Sequence, residues 1–182
     1  GGSTSDSMYT DLNTLVPTDG YVNNMRSNYT FGNVGTPNWT STNGSKRGPC
    51  TYPGYTGSPT TNVFEPIDEY KGDFARIYFY MATRYESRIS TWPANDANAA
   101  DCFAGNAYPG FKTWQLNLLL EWHNNDPVSQ KEINRNNAVY SIQGNRNPFI
   151  DNPEYAALIW QSAPVVNTLP ASSITSNSAI CN

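Results

Sequence analysis

Few residues in this chain can do chemistry. Among 182 residues there is one histidine, His123. A lone imidazole can accept a proton near neutral pH, but it cannot build a site that needs two, such as a His-x-x-x-His zinc helix. His123 sits at the end of a helical stretch, where it caps carbonyls or packs at the edge of the core. A protonated ring is favoured there, the opposite of what a general base needs. Cys50, Cys102 and Cys181 contain no C-x-x-C, which argues against a zinc ribbon. Their odd number allows at most one internal disulfide; Cys50 with Cys102 is one pairing open to it, and the connectivity stays open. Asn23 and Arg26 are three residues apart and share a face of a polar helix. Arg76 follows Asp73 and Glu69 by one and two turns, the spacing of a surface charge network. Arg146 lies in a Gly-Asn-Arg-Asn turn that it can brace.

The elements around these residues follow from composition and period. The length suits one domain with a real core. Five Trp, twelve Tyr and seven Phe supply large buriable surfaces, so the chain does not read as disordered. Eleven Lys and Arg against fifteen Asp and Glu leave a net charge of −4, which argues against a generic basic nucleic-acid coat. No apolar run approaches the roughly 20 residues of a membrane span. Lysine is scarce, Asn is abundant and the loops are rich in Ser, Thr, Gly and Tyr, which together favour a secreted or periplasmic protein. Three sequons begin at Asn28, Asn38 and Asn43, a pattern common by chance in an Asn-rich chain.

Thr18 can cap a short helix running to about Asn28. Residues 29–63 read as one long loop, and 94–110 as another. The clearest helix spans about 68–88, with Phe74, Ile77, Met81 and Tyr85 as its buried stripe. A core helix, apolar almost all round, spans about 111–124. A fourth runs from about Ser129 to Ile142, with Glu132 placed to pair with Arg135. Gly144–Pro148 is a turn, and a last short helix reaches about Trp160. Residues 1–161 thus read as a single domain, α+β and helix-dominated, and 162–182 as a Ser/Thr/Asn-rich tail.

Several segments carry a resemblance. They are Met8-Tyr9-Thr10-Asp11-Leu12 through Pro17 with Gly20-Tyr21-Val22-Asn23-Asn24-Met25-Arg26; Phe64-Glu65-Pro66 with Lys71-Gly72-Asp73 and Ala75-Arg76; Trp122 through Asp126-Pro127-Val128 with Glu132 and Arg135; and Gln143-Gly144-Asn145-Arg146-Asn147-Pro148-Phe149-Ile150. In this order they resemble the bacterial endonuclease I family, secreted or periplasmic non-specific nucleases of the His-Me finger (ββα-metal) type. The resemblance covers roughly residues 8–160.

It implies a metal-dependent endonuclease acting on DNA and on RNA. A histidine activates water, an Asn on the following helix holds a divalent cation (Mg, with Ca or Mn as alternatives), and basic residues hold phosphates. Asn23 matches the metal-binding Asn, with Asn24 next if the register is off by one. Arg26, Arg76 and Arg146 are the implied substrate-binding residues; Lys46, Arg47 and Arg84 are further cations, and Glu65 and Asp73 are acids for capping or pairing. The family's base histidine precedes the Met-x-x-Asp-Leu segment, so it is expected upstream of Gly1, with the first strand of the finger. Asp11–Val16 is then expected to form the finger's second strand and Thr18–Asn28 its helix. Alone, the chain should bind a cation weakly and cleave poorly, and its own N-terminal segment becomes a partner beside nucleic acid. The competing reading is an inactive secreted module of the same fold, using aromatic loops at 39–55 to bind polysaccharide or nucleic acid.

Overall fold

Helix α5 (Thr113–Asn125) shows why the core forms where it does: Trp114, Leu116, Leu118, Leu119, Leu120 and Trp122 are all buried, and only a stripe of Thr113, Asn117, Glu121 and Asn124, with the terminal Asn125, is exposed. The computed structural model describes residues 7–57 and 61–161; the expected tail, and Cys181 with it, lies outside them. Against α5 packs α2 (Lys71–Arg84), entered through a 3-10 turn at Asp68–Tyr70. Its deepest apolar residues are Ala75, Phe79, Tyr80 and Ala82. Of the expected stripe, Ile77 and Tyr85 are buried, whereas Phe74 and Met81 are only half-buried and with Ile77 line a cleft. Phe79 meets Trp160 at 4.8 Å and Phe149 at 5.6 Å between ring centroids, closing the core against the C-terminal helices.

The helix expected over 68–88 is broken. Tyr85 leaves helical geometry (φ −117°, ψ 30°), and a separate turn, α3 (Glu86–Ile89), follows. A further short helix, α4 (Ala97–Cys102), capped by Asp96, occupies part of the expected 94–110 loop. Helix α6 (Gln130–Gln143) begins at a capping box between Ser129 and Glu132 and ends on Gly144 in the left-handed region (φ 79°). Short helices α7 (Pro148–Asp151) and α8 (Tyr155–Trp160) are the last elements among the described residues.

The expected loop at 29–63 holds the sheet. Strands β1 (Trp39–Thr40), β2 (Lys46–Pro49) and β3 (Asn62–Glu65) pair antiparallel in that order, with Trp39 opposite Arg47 and Arg47 opposite Phe64. Strands of two to four residues, one ending in Gly-Pro, are too short to show an alternating pattern. Asp11–Val16, expected as a strand, is a turn closed by Thr14 N–H to the Asp11 carbonyl at 3.0 Å.

That turn is anchored by the Asp11 carboxylate, which accepts from Tyr80 Oη (2.6 Å), Tyr85 Oη (2.7 Å), Gln143 Nε2 (2.8 Å) and the Asn13 amide (2.9 Å). Burial alone would raise its pKa; these donors more than offset that and lower it. Arg135, expected beside Glu132, instead donates to the carbonyls of Leu12 and Leu15. Cys50 and Cys102 are free thiols, not a disulfide; Cys102 is buried against Thr30 Oγ1 at 3.3 Å.

Replacing Asp11 with Ala leaves two phenols, the Gln143 carboxamide and the Asn13 amide without this acceptor. The expected loss is about 1.5–3 kcal/mol in urea unfolding at neutral pH. Because the folded pKa is lowered, the wild-type contribution is complete above the ordinary Asp value and drains away as pH falls through the folded one. Equal stability of the two proteins at pH 7 would contradict this anchoring role.

Candidate active site

Helix α1 (Gly20–Arg26) presents Asn23 and Arg26. Its cap is Asp19, one residue later than Thr18: the Asp19 carboxylate accepts from the amides of Tyr21 (2.9 Å) and Val22 (3.0 Å). The helix stops at Arg26, short of Asn28, because Ser27 takes a positive φ of 49°. None of its residues is fully buried. Beneath it opens a cleft of about 1300 Å³, walled by Val22, Asn23 and Arg26 on one side and by Phe74, Ile77, Tyr78 and Met81 of α2 on the other.

Asn23 is exposed on this cleft, and its carboxamide makes no hydrogen bond among the described residues. Arg26 lies over the Phe31 ring, 4.9 Å from its centroid, with Nη1 donating to the Ser27 carbonyl at 3.1 Å. Its Nε–H is buried and has no partner among the described residues. An unpaired buried donor on a cation is costly, and an anionic oxygen in the cleft would relieve it.

A cation finds only part of a site here. No cluster of three or more His, Cys, Asp or Glu exists among the described residues, and the nearest carboxylate along α1, Asp19, is spent on the cap. The residues fit an ion anchored by one neutral oxygen, completed by water and phosphate as Mg²⁺ accepts; they do not fit an all-protein cage.

The other two expected substrate residues are not with Asn23. Arg76 is fully buried: Nε and Nη2 donate to the two oxygens of Glu132 at 2.5 and 2.8 Å, and Nη1 to the Asp126 carbonyl at 2.8 Å. Asp73 is only 3.5 Å away, as the helical spacing suggests, but the main partner lies on α6. A guanidinium enclosed in this way has no face for phosphate, so Arg76 is corrected to a core residue. Gly72 keeps the space open, since a Cβ there would come within 2.1 Å of the Asp126 carbonyl and 2.8 Å of the Arg76 guanidinium. Arg146 grips both oxygens of Asp151 (2.7 and 2.6 Å) and Asn137 (2.9 Å), so of its two readings the structure shows the turn brace.

Among the further residues considered, Glu65 takes Lys71 and the Val34 amide, and Asp73 takes Lys131. Both acids are pairing groups. The Asp73 pKa is nevertheless pushed up to about 6, chiefly by burial and also by the Glu132 charge, with Lys131 opposing. Arg84 lies over Tyr85 at 5.8 Å. Arg47 and Lys46 sit on β2.

His123 is buried at the last turn of α5. Its Nε2 is 2.9 Å from the Pro153 carbonyl and its Nδ1 3.5 Å from Arg76 Nη1, so Nε2 carries the proton and Nδ1 faces a donor. Burial, and then the Arg76 charge, lower its pKa. The helix end favours protonation, yet desolvation wins. A neutral ring with both nitrogens engaged is not placed to accept a proton from water.

What the sequence did not reveal is the neighbour of Asn23 on the outer side of α1. Tyr21 is exposed and stands edge-on to Trp39 at 6.1 Å. An aromatic two residues from Asn23, on a short helix, was the available signal.

Comparison with known proteins returns one family. The sequence profile described as Endonuclease I matches residues 1–154. The chain is 40% identical over 152 residues to an extracellular ribonuclease of Bacillus amyloliquefaciens, covering 83% of this chain and 46% of that protein. It is 39% identical over 158 residues to an extracellular ribonuclease of Bacillus subtilis, covering 86% and 49%. It is 28% identical over 142 residues to a periplasmic deoxyribonuclease of Aeromonas hydrophila, covering 78% and 47%. The chain therefore spans about half the length of these relatives.

Two measurements check the buried cluster. The single imidazole gives one set of proton NMR signals, and its midpoint is expected below the ordinary value of about 6.5; a midpoint at or above it would show a protonated His123. Since the folded ring resists the proton that the unfolded ring accepts, stability should fall as pH drops below that value. Glu132→Ala strands the Arg76 charge and is expected to cost about 3–5 kcal/mol in chemical unfolding.

Proposed function

Because this chain belongs to the endonuclease I family, we propose that it forms part of a metal-dependent, non-specific nuclease that hydrolyses phosphodiester bonds of DNA and RNA. The observation that carries this reading is that Asn23 and Arg26 face one cleft, the first with a free carboxamide and the second with an orphaned N–H. The names of the relatives support both substrates, since they include ribonucleases and deoxyribonucleases.

In this reading α1 is the helix of a His-Me finger. The Asn23 carboxamide oxygen anchors a divalent cation, Mg²⁺ first, with Ca²⁺ or Mn²⁺ as alternatives. The cation, when bound, stabilises charge on the phosphate oxygens. Arg26 holds a non-bridging phosphate oxygen. Held against Phe31, its guanidinium loses little freedom on binding. Contacts to phosphate carry no base information, so cleavage is sequence-independent and salt-sensitive.

His123 takes no part in the proton transfer. The extracellular and periplasmic names of the relatives support a secreted or periplasmic protein. No helix among the described residues is long and apolar enough to cross a membrane.

The test is cleavage of plasmid DNA and of RNA by the full protein. Chelation should abolish it and Mg²⁺ restore it. Asn23→Ala should lower the Mg²⁺-supported rate at least about tenfold, while its unfolding free energy stays within about 0.5 kcal/mol of wild type. Arg26→Ala should weaken DNA binding and reduce the slope of log affinity against log salt by about one. Full activity of the Asn23 variant, or activity indifferent to chelators, would remove the reading.

A further inference from the structure

The cleft uses Asn23 and Arg26 but leaves the rings beside it without a task. Tyr21 is 64% exposed, and its ring meets Trp39 at 6.1 Å and 65°. Trp39 is itself only half-buried, backed by Phe64 at 6.3 Å and 29°. In the sheet, Trp39 lies directly opposite Arg47 and Arg47 directly opposite Phe64, so the three side chains rise on one face. The Arg47 guanidinium lies 5.8 Å from the Tyr29 ring centroid, and its Nε donates to a neutral amide, Asn38 Oδ1, at 3.2 Å. Single exposed aromatics are ordinary on a protein surface. Here two open rings and a guanidinium are held together on a rigid backing, and Tyr21 is two residues from Asn23.

We propose that Tyr21, Trp39 and Arg47 form a stacking platform for unpaired bases, so that the site favours single-stranded DNA or RNA. The inference rests on the nuclease reading above and names the form of substrate it prefers. The half-exposed indole is backed by Phe64, and every nucleobase has a flat face that can stack on an open ring. In a duplex those faces are covered by neighbouring pairs, leaving phosphates and edges. Arg47 supplies positive charge for the strand that carries the base. Arg26, on the cleft side of α1, can hold the phosphate at the same time.

The test is binding of a labelled oligo(dT) and of a duplex of equal length, measured by anisotropy at low salt with EDTA present to stop cleavage. Stacking of ordinary strength predicts that Tyr21→Ala weakens oligo(dT) binding about tenfold and duplex binding less than about twofold. Trp39→Leu should behave alike. Tyr21 is exposed, so its variant carries the test even where the Trp39 variant loses its fold. Oligo(dT), and not the duplex, should quench the Trp39 emission. Equal losses on both nucleic acids, or no loss on oligo(dT), would overturn the platform and leave the nuclease reading standing. Quenching by a soluble glucan in preference to oligo(dT) would overturn it in favour of sugar stacking. A wild-type protein that binds neither nucleic acid would overturn the nuclease reading itself.

Discussion

The buried pair of Arg76 and Glu132 is the constraint on which the rest of the structure depends. A guanidinium with no exposed surface must have every donor met, and three elements converge to do so. Glu132 comes from α6, the Asp126 carbonyl from the end of α5, and Asp73 from α2 itself. The same Glu132 carboxylate also accepts the Ser129 amide at 2.8 Å, so one side chain both starts α6 and holds it against α2. The second layer is equally polar. Asn147 donates to the Arg76 carbonyl at 3.1 Å, and Asn136 joins Asn147 to Asp151. Helix α6 buries little apolar surface, and its place is decided by partners and not by grease. A network of this type is weak evidence of net stability, because desolvation offsets the attraction. It is strong evidence of register, because no shifted packing of α6 meets the same donors.

The site inherits its geometry from this scaffold without being part of it. Asp11 links the segment ahead of α1 to Tyr80 and Tyr85, near the end of α2, and to Gln143 at the end of α6. Arg135 holds the carbonyls of Leu12 and Leu15. Helix α1 itself contributes no fully buried residue and overhangs the cleft. Rigid support below and light packing above make α1 the more easily moved wall of the cleft.

How much of this could be read from the residues divides along physical lines. Helices α2, α5 and α6 were legible because their period, caps and breakers are local signals: Asp126-Pro127 ends α5, and Ser129 with Glu132 starts α6. The sheet was not, since two- to four-residue strands carry no period. Asn23 and Arg26 were placed on one face by their spacing, which short-range geometry decides. Arg76 was the failure of the same logic. Its spacing from Asp73 is real, but the partner that buries it is 56 residues away, and no local rule reports a contact at that range. His123 repeats the lesson in reverse. Its position at a helix end predicted a favoured charge, whereas the neighbours that neutralise it come from α2 and the Pro153 loop.

The two described thiols carry a consequence for how such a protein survives export. Disulfide exchange proceeds through the thiolate, and burial pushes Cys102 up to about 12 and raises Cys50 as well. Near neutral pH almost none of either is in the reactive form. Cys102 is moreover sealed in the core beside Thr30, where an oxidant or a second cysteine has no approach. The packing around Cys102 therefore protects that sulfur chemically as well as sterically, while Cys50 is only half-buried. Cys102 is thereby kept out of disulfide exchange even in an oxidising compartment.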